Sequence, residues 1–272
     1  MKFHFNINRK PMQGETPRIS VAILAHNEAG DLAALLETLT FADEIVVADA
    51  ESTDDTAAVA RRAGAVVIPV KNDFNLNANK TKAVDACRGD WIIYLDPDES
   101  VTAELAAAVE AAVADGDAPY AAYEFPRRND YFGKYVKHGG AYPDYQLRLF
   151  RRGRARFPCL SVHERLRVDG RVGRLDAPLY HRTYPAVSDY LRKLPLYVAA
   201  GADYLERRGL RAGIAVDIYY FLVRPAVRFW RRYLFKWGFL DGWAGFLACF
   251  LDAAQGVLSY YEFRSRRGRR RR

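Results

Sequence analysis

WIIYLDPDESV, Trp91 to Val101, is the stretch on which the fold turns. Its first five residues, Trp91 to Leu95, are apolar and mostly large or β-branched, as in a strand buried on both faces of a parallel sheet. The run passes straight into Asp96, Pro97, Asp98 and Glu99. In open α/β sheets, ligands bind beyond the carboxyl ends of the strands. Carboxylates placed there can hold a hard divalent cation through oxygen, and the cation can hold a phosphate. Asp-x-Asp is also ordinary turn chemistry, with Glu99 opening the following helix. The neighbouring strand ends decide between the two.

Upstream, Ile19 to Ala25 (ISVAILA) reads as a strand followed by His26-Asn27-Glu28. Leu32, Leu35, Leu36 and Leu39 then share one helical face. Glu44 to Ala48 (EIVVA) is a second strand ending at Asp49, and Ser52 or Thr53 can cap a helix that runs to Arg62 and stops at Gly64. Ala65 to Val70 is a third strand, and a helix over Asn79 to Cys87 leads to Gly89 and the fourth strand. Such β-α alternation with short connections predicts an α/β fold with a mainly parallel sheet and right-handed crossovers. The first, second and fourth strands end in HNE, DAES and DPDE, so polar groups converge on one sheet edge.

The remainder bounds the function. Half of the 272 residues are hydrophobic, enough for a sizeable core. The net charge is +8, but seven arginines fall between Arg264 and Arg272, leaving 8 − 7 = +1 for everything before them. Basicity confined to a tail argues against a nucleic-acid-binding surface. Cys87, Cys159 and Cys249 are far apart and show no metal spacing, which fits a reducing cytosolic setting. Residues 1–17 read as a leader without an apolar signal core. No run reaches the roughly 18 apolar residues of a membrane span. After an alanine-rich helix from Thr102 to Ala114 come short β-like runs to about residue 185. The rest is helical: Ser188 to Arg208, then Ala212 to Trp237, kinked or broken at Pro225, then Gly238 to Tyr261. The expected organisation is a leader (1–17), a catalytic domain (18–185), a membrane-associating helical region (186–263) and a basic tail (264–272).

With the strand ends in hand, the sequence resembles the inverting family 2 glycosyltransferases of the GT-A fold. ISVAILAHNE, EIVVADAESTDDT and GDWIIYLDPDES carry that likeness. HGGAYPDYQLRLFRR, SVHERL, PLYHRTY and GFLDGWAGF are similar to the branch containing bacterial lipopolysaccharide-core β-glucosyltransferases. The likeness runs from about Arg18 to Glu262. It departs at Glu51, where the family usually has glycine, and at Asn79-Lys80-Thr81, where Gln-Lys/Arg-Asn is usual. Both places touch the donor pocket and leave the donor sugar open.

The resemblance implies transfer from a nucleotide sugar, with a UDP-sugar expected, assisted by Mg²⁺ or Mn²⁺. Asp98 would ligate the metal, and Asp96 would contact the ribose or the metal through water. Asp49 would accept from the nucleobase, a carboxylate being a suitable acceptor for uracil N3–H. Asn27 and Glu28 would lie on the base and ribose side. Lys80 would neutralise the diphosphate, and His181 would ligate the metal or bind the diphosphate. Glu164 would be the general base that inversion requires, with Asp144 its rival. Arg148 and Arg151 would meet acidic groups of the acceptor or form a charged strand face. The acceptor would be a glycan or glycolipid of lipopolysaccharide type.

Aromatics interleaved with arginine from Tyr219 to Trp243 predict peripheral binding to the inner leaflet of the cytoplasmic membrane. A helical pair packed within the protein or against a second subunit is the competing expectation. Two other functions compete. A nucleotidyltransferase can use a similar sheet and acid pair, but AHNEAGD is not a Gly-rich phosphate loop. A non-enzymatic membrane or nucleic-acid binder would depend wholly on the arginine tail.

Overall fold

The computed structural model describes residues 18–72, 76–115, 119–157, 166–211 and 213–269. The chain runs β1 (Ile19–Ala25), α1 (Ala29–Glu37), β2 (Glu44–Asp49), α2 (Thr56–Arg62), β3 (Val66–Pro69), α3 (Leu76–Asp85), β4 (Trp91–Leu95), β5 (Glu99–Val101) and α4 (Ala103–Ala114). Strands β6 (Tyr120–Tyr131), β7 (Lys134–Tyr135), β8 (Asp144–Arg151), β9 (Ala155–Arg156), β10 (Arg167–Val168), β11 (Arg171–Arg174) and β12 (Leu179–Tyr184) follow. The last part holds α5 (Val187–Arg207), α6 (Ile214–Ile218), α7 (Arg224–Trp230) and α8 (Gly242–Arg269). Two compact units result: Met1–Arg127 with Asp144–His181, and Arg128–Pro143 with Arg182–Arg272. Residues 128–143, inside 18–185 in the linear reading, thus group with the C-terminal helices.

In the first unit the sheet order is β3-β2-β1-β4-β8-β6-β12-β5. The first four strands are parallel, as the alternation predicts, and β8 joins β4 antiparallel. Ile19, Val21 and Ile23 on one face of β1 pack with Leu32, Leu35 and Leu36 of α1 and with Leu105 and Val109 of α4. Ala22, Ile92 and Tyr94 on the other face pack with Ala83 and Cys87 at α3. Burial on both faces explains why β4 is apolar without alternation. Gly89 permits a close approach at the start of β4: its N–H donates to Ser20 Oγ at 2.8 Å, and a Cβ there would stand 2.5 Å from that oxygen.

The chain goes from β1 to β2 on one side, and later enters β4 on the other. That reversal is the crevice where open α/β sheets bind ligands. Ala25 is level with Asp49 and Ile23 with Leu95, so the polar strand ends emerge together.

One expectation fails here. Glu99 does not open a helix. It starts β5, which pairs antiparallel with β12 through His181↔Glu99, and only 1% of its surface is exposed. The helix begins after Thr102, whose Oγ1 accepts from the Leu105 N–H at 3.0 Å.

In the second unit, Pro225 does not break its helix. The chain is continuously helical from Ile214 to Phe235, with π-type stretches at Tyr219–Val223 and Arg231–Phe235. The wider turn just before Pro225 takes up the missing N–H. Ala202 and Leu205 of α5 and Tyr260 and Phe263 of α8 form a small core, with Tyr220 stacked on Tyr260 at 4.5 Å.

Candidate active site

Two cavities meet at the end of β4, and both are lined by Lys80, Tyr94 and Asp96. The first, about 320 Å³, is also lined by His26 and Glu28 after β1, Ala50 after β2, and Asp98 and His181. The second, about 470 Å³, adds Arg127, Asp144, Arg148, Phe157 and Leu166.

The acids of the DPD stretch have separate surroundings. Asp96 accepts from the Tyr94 hydroxyl at 2.6 Å, from Arg148 Nη2 at 2.7 Å and from Lys80 Nζ at 3.4 Å. Burial alone would raise its pKa. The charges of Arg148 and Lys80, with the hydrogen bonds, outweigh that and hold it well below the usual carboxylate range. Glu99 lies beneath. Its Oε2 accepts the Asp96 backbone N–H at 2.9 Å, and its Oε1 accepts from Arg148 Nη2 at 2.5 Å. Burial, and then the charge of Asp96, push the Glu99 carboxyl up against the pull of Arg148. Arg148 is 7% exposed and shares one nitrogen between the two acids. Burial would lower its pKa, but Glu99 and Asp96 raise it, so it stays a cation. Arg148 is therefore not a surface strand residue, although it lines the second cavity. It is the internal counter-ion of the turn.

Asp98 stands outside this network, with Oδ2 3.4 Å from His181 Nε2. Strand pairing explains the approach: His181 lies opposite Glu99, the next residue. These two are the residues that the resemblance implies as metal ligands. Among the described residues no group of three or more His, Cys, Asp or Glu could hold a metal. One carboxylate and one imidazole suit Mn²⁺ or Mg²⁺ if diphosphate oxygens and water complete the shell.

At the β2 end, Asp49 Oδ1 is buried without a hydrogen-bond partner among the described residues. A buried acceptor of that kind calls for a donor. Glu28 lines the first cavity and its Oε2 accepts the His26 N–H at 3.3 Å. Asn27 does not line either cavity. It takes positive φ (54°), and its Oδ1 accepts the Thr53 N–H at 2.7 Å, tying the loop after β1 to the loop after β2. Lys80 sits 4.7 Å from the Tyr94 ring centre, between the cavities. Asp144 accepts from Arg127 Nη2 at 2.9 Å and from Gln146 Nε2 at 2.8 Å. Arg151 lies away from the site: it pairs in register with Trp91, at the start of β4, and its guanidinium covers that ring at 4.6 Å. Glu164 falls in residues 158–165, outside the described residues.

His26 was visible only as part of HNE. Its Nδ1 meets the Ala50 carbonyl at 2.7 Å, and its Nε2 meets Asn72 Nδ2 at 3.1 Å. Nδ1–H donating to the carbonyl leaves Nε2 to accept from the amide. His26 thus joins three loops at the rim of the first cavity.

The family model for glycosyl transferase family 2 matches residues 20–167, more than half of the chain and all four parallel strands. The chain belongs to glycosyl transferase family 2. A glycosyltransferase of Rickettsia felis, described as uncharacterized, is 39% identical over 94 residues, 34% of this chain and 33% of that protein. The chain thus matches about a third of that relative's length. The lipopolysaccharide core biosynthesis glycosyltransferase LpsC of Rhizobium meliloti is 26% identical over 250 residues, 87% of this chain and 91% of that protein. Among solved structures, the mannosyltransferase PcManGT of Pyrobaculum calidifontis, in complex with GDP-Man and Mn²⁺, superposes with a TM-score of 0.54 at 15% identity, covering 94% of this chain and 89% of that one. That likeness shows the GT-A fold.

Proposed function

We propose that this family 2 enzyme transfers a hexose, with inversion, from a uridine-diphosphate sugar to a lipid-linked saccharide of the lipopolysaccharide-core kind. The observation that carries the reading is the Asp98–His181 pair beside Lys80, at the strand-order reversal. Asp49 ends β2 next to Ala50, which lines the first cavity, and a carboxylate there suits a base N–H, which supports uracil. Leu24, Ala50 and Leu76 supply apolar lining in the first cavity. The diphosphate would lie toward Asp98, His181 and Lys80, and the sugar toward the second cavity. A divalent cation held by Asp98 and His181 would supply positive charge to the leaving diphosphate. Lys80 adds a second positive charge there, and Arg148 with Glu99 keeps the turn that presents Asp98 in place.

A carboxylate takes the proton of the acceptor hydroxyl as its oxygen bonds to the anomeric carbon and the diphosphate leaves from the opposite face. Both oxygens of Asp144 already accept hydrogen bonds. Glu164 is our choice of base, supported by the resemblance, with Asp144 its rival.

The test pairs activity with binding. Nucleoside diphosphate release from a panel of nucleotide sugars, with Mn²⁺ or Mg²⁺, identifies the donor. Asp98→Ala should lower transfer on the order of 10²–10³-fold and weaken Mn²⁺ binding in the presence of UDP, with circular dichroism unchanged. Full activity in Asp98→Ala would overturn the reading, as would release of pyrophosphate.

A further inference from the structure

From Ile218 to Phe235 exposure alternates in pairs, two residues exposed and then two half-buried, without a break. The π-type stretches at both ends keep rows four residues apart on one side of the helix. The exposed rows are Ile218, Leu222, Ala226, Trp230, Leu234 and Tyr219, Val223, Val227, Arg231, Phe235. One of those ten is charged. Leu222 is 66% exposed and Phe235 79%. The half-buried rows carry Arg224, Arg228 and Arg232.

A helix on a water-facing surface has the opposite arrangement, with charge outside and apolar residues inside. Two of these arginines meet an acid of α8, and Arg224 covers the Tyr220 ring at 5.0 Å. Asp252 of α8 receives Arg228 at 2.6 Å and Arg232 at 2.8 Å. Asp217 receives Arg264 at 2.9 Å, and Asp241 receives His138 at 2.9 Å. Ionisable groups that face one another behind an apolar exterior mark a helix whose solvent is hydrocarbon. Across the helix pair, Phe229, Trp230, Phe246 and Phe250 line an apolar groove of about 720 Å³.

We infer that the Ile214–Phe235 helix and α8 dock as a bent pair into one leaflet of an anionic bilayer, apolar rows in the acyl region. No single helix among the described residues is long and apolar enough to cross a membrane. The two pass that test only together, bent by 73°. Arg231 and Lys236 are the exposed cations at the end of the apolar rows. They suit anionic headgroups. A second copy packed symmetrically on this face would bring the same cations together. The composition-based reading aimed the arginines of this helix at the membrane. The structure turns three of them away and leaves Arg231.

This inference is independent of the catalytic reading, and its test does not use turnover. Trp230, Trp237 and Trp243 are exposed, whereas Trp91 is 2% exposed. The full chain is mixed with phosphatidylcholine vesicles, with or without one quarter phosphatidylglycerol, carrying acyl-chain bromine. The expected result is blue-shifted, quenched tryptophan emission with the anionic vesicles, weakened by salt. Trp230→Phe/Trp237→Phe/Trp243→Phe should leave Trp91 unquenched. Leu222→Glu/Phe235→Glu should lower vesicle partition at least about tenfold without altering circular dichroism. Absence of quenching would overturn the inference. So would persistent quenching in the triple variant, or sedimentation as a dimer that buries these tryptophans and ignores vesicles.

Discussion

In the sheet-bearing unit one cation, Arg148, lies between two acids, Asp96 and Glu99. In the helical unit one acid, Asp252, lies between two cations, Arg228 and Arg232. The signs are exchanged, and so are the surroundings. Around Arg148, apolar side chains point into the core and the charged edge opens on two cavities. Around Asp252, the charges point inward and the apolar residues point out. Burial pushes the Asp252 carboxyl up, but Arg228 and Arg232 outweigh it and hold it below the usual range. The contrast teaches that an ion cluster reports what lies on its far side. The first fixes the turn that carries Asp98 at the first cavity. The second lies behind an exposed apolar face.

Arg148→Leu should break the first cluster with the largest effect. It removes the cation that the two acids share, leaving Asp96 with Lys80 at 3.4 Å and Glu99 with Arg127 at 3.6 Å, and removing one partner from a buried ion pair costs about 3–5 kcal/mol. Urea unfolding should register that loss, and transfer should fall with it because the Asp96–Glu99 turn is no longer fixed. A variant with unchanged midpoint and turnover would show that Arg148 is dispensable.

Legibility followed the range of each interaction. The four parallel strands could be read because each carries its own apolar run, and HNE, DAES and DPDE end at one edge of the sheet. The burial of Arg148 could not be read because its partners are 52 and 49 residues away, across an antiparallel pairing that no local pattern encodes. Glu99 looked like a helix opener because an acid three residues before Thr102 suits either role. Its burial comes from the pairing of β5 with β12, a long-range event. In the C-terminal helix, the apolar and arginine rows are both periodic in sequence. Periodicity does not say which row faces out.

Asp96→Asn sharpens the electrostatic half of the comparison. Its folded pKa is depressed, so the stabilisation is present above the ordinary value of 3.8 and disappears as pH falls through the lower folded value. The variant should be less stable by about 2 kcal/mol at pH 7 and pH 5 alike. The gap should narrow only below about pH 3.8. A gap that closes between pH 7 and pH 5 would mean that Asp96 titrates in that range.

Asp252→Asn is the counterpart in the helical unit. Arg228 is partly exposed, so solvent screens what remains, and about 1–2 kcal/mol is expected. Thermal unfolding should report it. Transfer to a soluble acceptor should stay at the wild-type level, because Asp252 contributes to no part of the sheet-bearing unit's site. A large loss of turnover at full stability would erase the division of labour between the clusters.

The smallest expected effect lies at Glu51, where the family usually carries glycine. Glu51 retains the backbone of a glycine, with φ at 56°, and its Oε2 accepts the Asn72 N–H at 3.1 Å. Two contributions oppose each other. Left-handed backbone costs an L-residue about 1–2 kcal/mol, and the hydrogen bond returns about 0.5–1.5 kcal/mol. Glu51→Ala keeps the strain and loses the bond, so its urea midpoint should fall. Glu51→Gly loses the bond and the strain together, and should stay within about 0.5 kcal/mol of wild type. The alanine–glycine difference therefore reports the strain less glycine's extra unfolded-state entropy, about 0.4–1 kcal/mol, and an alanine variant more stable than the glycine variant would show that little strain is stored. Because Asn72 also contacts His26 at the rim of the first cavity, the pair carries a second readout. If the Glu51 carboxylate holds that rim for the donor, both variants raise KM for the nucleotide sugar alike, whatever their stabilities.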